Sequence, residues 1–175
     1  SFFNPSLLPR KEAKSVVEFS YIGRLVISKG VRLFIEAANI ICKTHKECIF
    51  NIAGGTSKGD SDFISEEELE EACENEQIKY HGKISDVRLF LHEHTDCLVF
   101  PSYYREGVPR CLLEGVAMAK PIIATDSVGT REPCVDGVNG FLVKKGDLND
   151  LVEKIEAFLK LDEHKRMQMG LASQD

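Results

Sequence analysis

The chain has 175 residues, which suits one domain with a core of its own. Its net charge of −6, without clusters of basic and aromatic residues, argues against a nucleic-acid surface. No apolar stretch approaches the length of a membrane span, and no secretory signal is visible at Ser1, so we expect a cytoplasmic protein.

Cysteine usage supports the same expectation. The chain has six cysteines, mostly among apolar residues, and none forms a Cys-x-x-Cys pair. We therefore expect unpaired, reduced thiols at Cys42, Cys48, Cys73, Cys97, Cys111 and Cys134. His92 and His94 lie two apart on a predicted helix and do not share a face, so we expect no zinc site there.

Short apolar runs alternate with helical patterns along the chain. Strands are predicted at residues 16–22, 48–53, 78–81, 97–101, 121–125 and 141–143. Helices are predicted at residues 31–43, 65–76 with a Ser65 capping box, 86–92 started by Ser85, 111–119 after Pro109, 129–132, 147–159 capped by Asp147, and from Asp162 onward.

This alternation predicts an α/β fold with a doubly wound, parallel, six-stranded Rossmann-like sheet. The expected strand order is 3-2-1-4-5-6, which leaves a ligand crevice where strands 1 and 4 diverge. Residues that follow these two strands are therefore the first candidates for a binding site.

The segment after strand 4 has two acidic residues and a helix start. Glu106 lies in the loop and Glu114 lies in the following helix, whose N-terminus favours an anion. A carboxylate at Glu114 can accept hydrogen bonds from a vicinal diol such as a ribose. The alternative is two solvated surface acids, but Gly107, Pro109 and the preceding buried strand favour a site.

The segment after strand 1 has two cations and no Gly-x-Gly-x-x-Gly fingerprint. Arg24 and Lys29 suit a diphosphate, Arg24 as a planar fork and Lys29 as a point charge. Solvated loop cations are the alternative. Both segments are expected at one switch point, which two unrelated surface patches would not predict.

These residues, in this order, resemble the C-terminal, donor-binding domain of retaining GT-B glycosyltransferases of family 4, of the type that builds bacterial surface polysaccharides. The resemblance covers roughly residues 16–161. The motifs that carry it are Gly23-Arg24, Lys29-Gly30, the Glu-x7-Glu stretch and the segments 120–125, 129–132 and 136–143. It implies a linker at residues 1–15 and a truncated C-terminal helix at residues 162–175.

The resemblance also implies roles for individual residues. Arg24 and Lys29 would hold the donor's diphosphate, and Glu106 would contact the transferred sugar, which makes these three the catalytic candidates. Glu114 would bind the ribose hydroxyls. The remaining binding candidates are the amides of Gly107 and Val108 at the sugar, amides near Leu112 at the phosphates, the backbone of Ile84 at the base, and the Gly54 turn at the border of the site.

The implied reaction moves a sugar from a nucleotide diphosphate, by family habit UDP, to a glycan or polyprenyl-linked acceptor. No cofactor or metal is expected. An absent N-terminal domain would bind the acceptor, and the full-length enzyme would work in the cytoplasm, peripherally at the inner face of the membrane. A GT-B sugar-nucleotide epimerase, a glycogen-phosphorylase relative and a non-catalytic nucleotide-binding module are the alternatives.

One position departs from the family pattern. Ala119 stands where the family often has glycine, a residue suited to a left-handed helix end. We expect a local adjustment there rather than a loss of binding.

Overall fold

The computed structural model describes residues 3–9 and 15–174 of the chain. Within them six strands form one sheet in the order β3-β2-β1-β4-β5-β6, with every neighbouring pair parallel. The strands are β1 Val17–Ile22, β2 Cys48–Ala53, β3 Ile78–Tyr80, β4 Cys97–Phe100, β5 Ile122–Thr125 and β6 Gly140–Val143. The predicted fold class and strand order are therefore confirmed.

Helices connect the strands and cover the sheet. They are α1 Val31–Ile41, α2 Glu66–Cys73, α3 Val87–His94, α4 Arg110–Ala117, α5 Leu148–Lys160 and α6 Glu163–Leu171. Helix α1 packs against α5, and α3 packs against α4. Because crossovers between parallel strands are right-handed, the reversal of strand order beside β1 puts α1 and α4 on opposite faces.

The core lies on both faces of the central strands. All six residues of β1 are buried, as expected for a strand covered by helices on both sides. Phe19 stacks on Phe50 with ring centroids 5.2 Å apart and meets Phe158 of α5 edge-on at 5.6 Å. These aromatic contacts tie α5 to the middle of the sheet.

Buried polar residues on β1 and β2 form hydrogen bonds with the C-terminal end of α3. Ser20 Oγ donates to the carbonyl of His94 at 2.6 Å, and Asn51 Nδ2 donates to the same carbonyl at 2.9 Å. A helix end leaves carbonyls without partners, so these contacts satisfy a buried acceptor. They also explain why two polar residues occupy otherwise apolar strands.

Several predicted helix starts are confirmed. Ser65, Asp147 and Asp162 each accept a hydrogen bond from a main-chain amide three residues later. The predicted start at Ser85 is wrong, because Asp86 is the residue whose side chain caps α3. A carboxylate there also suits the positive end of the helix dipole.

Two further local predictions need correction. Residues 129–132 form turns rather than a short helix, and the Thr130 hydroxyl donates to the carbonyl of Thr125 instead. Pro109 precedes the first turn of α4 as its N-cap, with extended backbone angles, rather than lying within that turn.

The predicted terminal segments are partly described. Residues 1–2, 10–14 and 175 lie outside the described part of the chain. Pro5–Leu7 forms a short 3-10 helix, and Phe3 and Leu8 pack against the core. At the other end, Gln174 donates to the carbonyl of Ala117 at 3.0 Å, which holds the segment after α6 against α4.

Ala119 ends α4 in the left-handed conformation, with a φ of 56°. The Lys120 amide donates to the carbonyl of Gly115, and the Ala119 amide donates to that of Val116. This pair of bonds is the Schellman motif. The expected adjustment is not seen in the backbone, because Ala119 itself adopts the left-handed conformation that favours glycine.

Replacement of Ala119 by glycine should therefore stabilise the protein. Left-handed backbone costs an alanine roughly 1–2 kcal/mol, and the greater freedom of glycine in the unfolded chain offsets about 0.4–1 kcal/mol of that gain. Urea denaturation of Ala119→Gly should show a net rise of up to about 1.6 kcal/mol in the free energy of unfolding. The control Ala157→Gly, inside α5, should lower it by about 1 kcal/mol. A loss in both variants would contradict the prediction.

All six cysteines are free thiols, as expected. Burial raises the pKa of Cys48 and of Cys134 from an ordinary value of 9.0 to about 12. It also raises the pKa of Cys97 well above that ordinary value. The folded protein thus keeps these thiols protonated under conditions in which an unfolded chain would ionise them.

This difference predicts a loss of stability at alkaline pH. The stabilising contribution is complete below the unfolded pKa near 9 and declines as pH rises toward the folded value, by up to about 1.4 kcal/mol per thiol and pH unit. Urea denaturation under reducing conditions should show a lower free energy of unfolding at about pH 10 than at about pH 8. Cys134→Ala should show a smaller decline, and equal values at the two pH conditions would contradict us.

Candidate functional site

The loops after β1 and β4 contact each other closely at the carboxyl edge of the sheet. Gly30 ends the β1 loop with a φ of 90°, and a Cβ there would clash with the carbonyl of Pro101. The carbonyl of Ser28 accepts hydrogen bonds from the amides of Tyr103 and Tyr104, both at 2.9 Å. This contact fixes one loop against the other.

The contact brings Lys29 and Glu106 together. Lys29 Nζ lies 3.1 Å from Glu106 Oε2, and their side chains are only 16% and 18% exposed. The Ser102 hydroxyl lies 3.4 Å from the other carboxylate oxygen, and Lys29 Nζ lies 5.7 Å from the Tyr104 ring centroid. Two predicted site residues therefore form a partly buried ion pair.

A third loop, the one after β5, packs against the main chain of Glu106. Gly129, after β5, has a φ of 94°, and a Cβ there would clash with the carbonyls of Glu106 and Gly107. Within the described residues the amides of Gly107 and Val108 have no protein acceptor. Both residues are exposed, so these amides are open to a ligand.

Glu114 lies on α4, where it is only 9% exposed. Its carboxylate accepts a hydrogen bond from Arg110 Nε at 2.9 Å, and the Arg110 side chain is 87% exposed. Because that partner is so exposed, solvent screening weakens the pair, and a ligand can compete for the carboxylate.

The N-terminus of α4 has free amides, but Leu112 does not supply one. Its amide donates to the carbonyl of Pro109 at 3.1 Å, and its side chain is buried. Within the described part of the chain, the amides of Arg110 and Cys111 have no protein acceptor. They are the donors that the helix end offers to an anion, one or two residues before the position that we predicted.

Arg24 is exposed, with its guanidinium carbon 6.0 Å from the Phe63 ring centroid. The main chain of Arg24 is fixed by a residue of β1, because the Tyr21 hydroxyl donates to the Arg24 carbonyl at 2.8 Å. Tyr21 is fully buried and stacks on Phe100 of β4 at 5.7 Å. Tyr21 thus connects the β1 loop to the neighbouring strand.

The predicted charges act on two groups near the carboxyl ends of β1 and β4, the Cys111 thiol and the Tyr21 phenol. The pKa of Cys111 is raised to about 12, first by burial and then by the Glu114 and Glu106 carboxylates, whereas Lys29 lowers it. Burial likewise raises the pKa of Tyr21, with Cys111 and Glu106 adding to the effect and Arg24 opposing it. Glu106 therefore acts on both groups, Glu114 and Lys29 act on Cys111, and Arg24 acts on Tyr21.

Gly54 and Ile84 lie on the β2 and β3 side of this crevice. Gly54 has a φ of 151°, and a Cβ there would clash with the carbonyl of Gly23, so the β1 and β2 loops touch. The Tyr80 hydroxyl donates to the Gly54 carbonyl at 2.6 Å. Ile84 is half-buried in the loop after β3, the edge strand of the sheet.

Three features of the site escaped the sequence analysis. They are the hydroxyl of Tyr21, the Lys29–Glu106 ion pair and the contact of Gly129 with the Glu106 main chain. A tyrosine two residues before a strand-ending glycine is the one local signal, since a buried phenol needs a hydrogen-bond partner. The other two features depend on loops distant in sequence.

The sequence profile of the group 1 glycosyl transferases matches residues 9–174. The chain therefore belongs to this family.

The chain is 30% identical over 150 residues to the capsular polysaccharide biosynthesis glycosyltransferase CapM of Staphylococcus aureus, covering 86% of this chain and 38% of CapM. It is 32% identical over 155 residues to the N,N'-diacetylbacillosaminyl-diphospho-undecaprenol alpha-1,3-N-acetylgalactosaminyltransferase of Campylobacter jejuni, covering 88% of this chain and 38% of that enzyme. The chain thus spans about two fifths of these relatives.

Solved structures share the fold. The C-terminal domain of a group 1 glycosyl transferase, LpcC of Francisella tularensis, has a TM-score of 0.78 at 23% identity, covering 97% of this chain and 93% of that domain. HepE of Anabaena, solved in complex with UDP and glucose, has a TM-score of 0.77 at 22% identity, covering 91% of this chain and 43% of HepE. The predicted C-terminal half of a GT-B glycosyltransferase fold is confirmed at the level of architecture.

The Tyr21 hydroxyl offers a test of how the site is held together. Tyr21→Phe keeps the stacked ring and leaves the Arg24 carbonyl without its donor. We expect the free energy of unfolding to fall by about 1 kcal/mol, measured by urea denaturation. Tyr104→Phe, at a half-exposed ring, should change it by less than about 0.5 kcal/mol. Equal effects of the two substitutions would show that the Tyr21 hydrogen bond is unimportant.

Proposed function

We propose that this chain is the donor-binding domain of a retaining glycosyltransferase of family 4. The full-length enzyme would transfer a sugar from a UDP-sugar to a glycan or polyprenyl-linked acceptor. The observation that carries the proposal is the Lys29–Glu106 ion pair, which lies at the switch point of the sheet beside the open N-terminus of α4. Cations, free amides and a carboxylate in this arrangement suit a diphosphate-linked sugar.

The cationic side of the site suits a departing nucleoside diphosphate. Negative charge develops on the diphosphate as the bond to the sugar breaks. Arg24, Lys29 and the free amides of Arg110 and Cys111 can stabilise that charge, and the helix dipole adds to their effect. This chain contributes electrostatic stabilisation and positioning rather than an evident protein nucleophile.

The ion pair also suggests an order of events on binding. The diphosphate competes with Glu106 for Lys29, since both are anions. Once Lys29 turns toward phosphate, the Glu106 carboxylate becomes available to hydroxyl groups of the sugar. The unpaired amides of Gly107 and Val108 lie next to it and complete a binding surface for the sugar.

Glu114 is suited to the ribose. Its burial on α4 keeps it beside the phosphate-facing amides, and its exposed partner Arg110 can yield to a diol. The Ile84 backbone and the Gly54 turn lie toward the β3 edge of the crevice, where the base would extend. The order along the crevice is thus sugar, diphosphate, ribose and base.

The acceptor and the cellular location also belong to this proposal. The relatives are longer than this chain, and we propose that a further domain binds the acceptor at the cytoplasmic face of the membrane. Within the described residues, none of the helices has the length and apolar character needed to cross a membrane. A Campylobacter jejuni relative is named for a diphospho-undecaprenol substrate, which supports a lipid-linked acceptor.

A non-catalytic nucleotide-binding module is the second candidate. It is favoured by the site itself, because the cations, amides and carboxylates described above can bind a donor without turnover. Product analysis with a full-length protein separates transfer, epimerisation and simple binding. A sugar–acceptor product supports the transferase, whereas an epimerised sugar nucleotide would refute it.

The two acids make a sharp test of the donor geometry. Glu114→Gln should weaken the binding of UDP and UDP-glucose alike. Glu106→Gln should weaken UDP-glucose but leave UDP binding as strong as in the wild type or stronger, because it frees Lys29 for the diphosphate. Loss of a charged hydrogen-bond partner costs about 1.5–3 kcal/mol, which is roughly tenfold or more in affinity. Calorimetric titration of the wild-type chain and both variants measures the effect.

A matched control is Glu153→Gln, on the exposed face of α5, which should bind both ligands like the wild type. If Glu106→Gln impairs UDP while Glu114→Gln leaves it unchanged, the two roles are reversed. If neither substitution matters, the donor does not bind at this crevice.

A further inference from the structure

A separate cavity of about 510 Å³ opens beside the proposed donor crevice. Its volume lies within the usual range of small-molecule sites. Helix α1 and the loops after β1, β4 and β6 form its wall, and none of the proposed donor-binding residues takes part. The lining residues are Ile27, Arg32, Leu33, Glu36, Tyr103, Lys145 and Gly146.

Two consecutive tyrosines separate this cavity from the donor crevice. The amides of Tyr103 and Tyr104 both donate to the carbonyl of Ser28, so their backbone is held at one point. The Tyr104 ring faces Lys29, whereas the Tyr103 side chain lines the cavity. The cavity is therefore next to the Lys29–Glu106 pair, where the transferred sugar lies in the proposed function.

The charges around the cavity are balanced. Arg32 donates from Nε and a terminal nitrogen to both carboxylate oxygens of Glu68, at 2.7 and 2.9 Å. The pKa of Arg32 is raised, first by this hydrogen bond and further by nearby Tyr103 and Glu36. Because an acid already neutralises Arg32 and Glu36 lies beside it, the cavity does not select a phosphate or another anion.

The polar and apolar groups instead match an uncharged ring with hydroxyls. Glu36 can accept hydrogen bonds, Lys145 and the remaining N–H groups of Arg32 can donate, and the Tyr103 phenol can do both. Ile27 and Leu33 offer apolar contact to C–H groups. A pyranose presents both kinds of surface on one ring.

We propose that this cavity is a subsite for a neutral pyranose unit of the acceptor. The proposal rests on the proposed function, since it assigns to this domain part of the acceptor binding beside the donor sugar. The Tyr103–Tyr104 loop then contacts donor on one side and acceptor on the other. Specificity for the acceptor would depend on Glu36 and Tyr103 in addition to any further domain.

The test is an NMR titration of the isotopically labelled chain saturated with UDP. The probes are the methyl glycosides of glucose, galactose and N-acetylglucosamine, at concentrations up to tens of millimolar. At least one should shift the amide signals of Leu33, Tyr103 and Gly146. Glu36→Ala, an exposed change on α1, should weaken that probe at least threefold and leave UDP affinity unchanged. The control Glu153→Ala, likewise exposed on a helix, should change neither.

The outcomes separate the subsite from the donor site. If UDP binds and no glycoside shifts the cavity signals, the subsite is refuted and the proposed function stands. Shifts confined to Gly107, Val108 and Gly129 would place the sugar in the donor crevice and also refute it. An unchanged glycoside affinity in Glu36→Ala would do the same. If UDP itself fails to bind, the proposed function is wrong.

Discussion

The contact between the β1 and β4 loops governs the geometry of the whole carboxyl edge. Strands β1 and β4 are neighbours in space but distant in sequence, and their loops meet where Gly30 lies against Pro101. Only a residue without Cβ fits there, at a φ that also favours glycine. The Ser28 carbonyl then holds the start of the β4 loop. Without this contact, Lys29 would not face Glu106.

The ion pair formed in this way has a dual character. The two charged groups are largely removed from water, so each depends on the opposite charge of the other to offset its lost hydration. In the proposed function, the same desolvation would make both groups effective toward a diphosphate-linked sugar, because opposite charges interact more strongly away from water. The neighbouring amides of Gly107 and Val108 and the N-terminus of α4 are open to such a ligand. The two charges of the pair thus compensate each other.

The rest of the fold keeps these loops in place. Phe19, Phe50 and Phe158 pack against one another at the centre of the sheet. Tyr21, on the same strand as Phe19, connects this packed centre to the loop above it by its hydrogen bond to the Arg24 carbonyl. Close-packed interiors transmit small displacements, so a change beneath the loop affects the charge above it. The cavity lined by Tyr103 depends on the same loop, since the amides of Tyr103 and Tyr104 share the Ser28 carbonyl.

The sequence alone determined the fold class and the residues that follow β1 and β4, because apolar periodicity and glycine positions are local properties. It also predicted the strand order, because alternating strands and helices favour a doubly wound sheet. It also predicted the caps at Ser65, Asp147 and Asp162. It placed the start of α3 at Ser85 instead of Asp86, since neighbouring residues compete for a cap and geometry selects between them. The partner of Lys29, the hydrogen bond of Tyr21 and the second cavity were decided by tertiary structure alone, because each requires groups that only the packed sheet brings within contact distance.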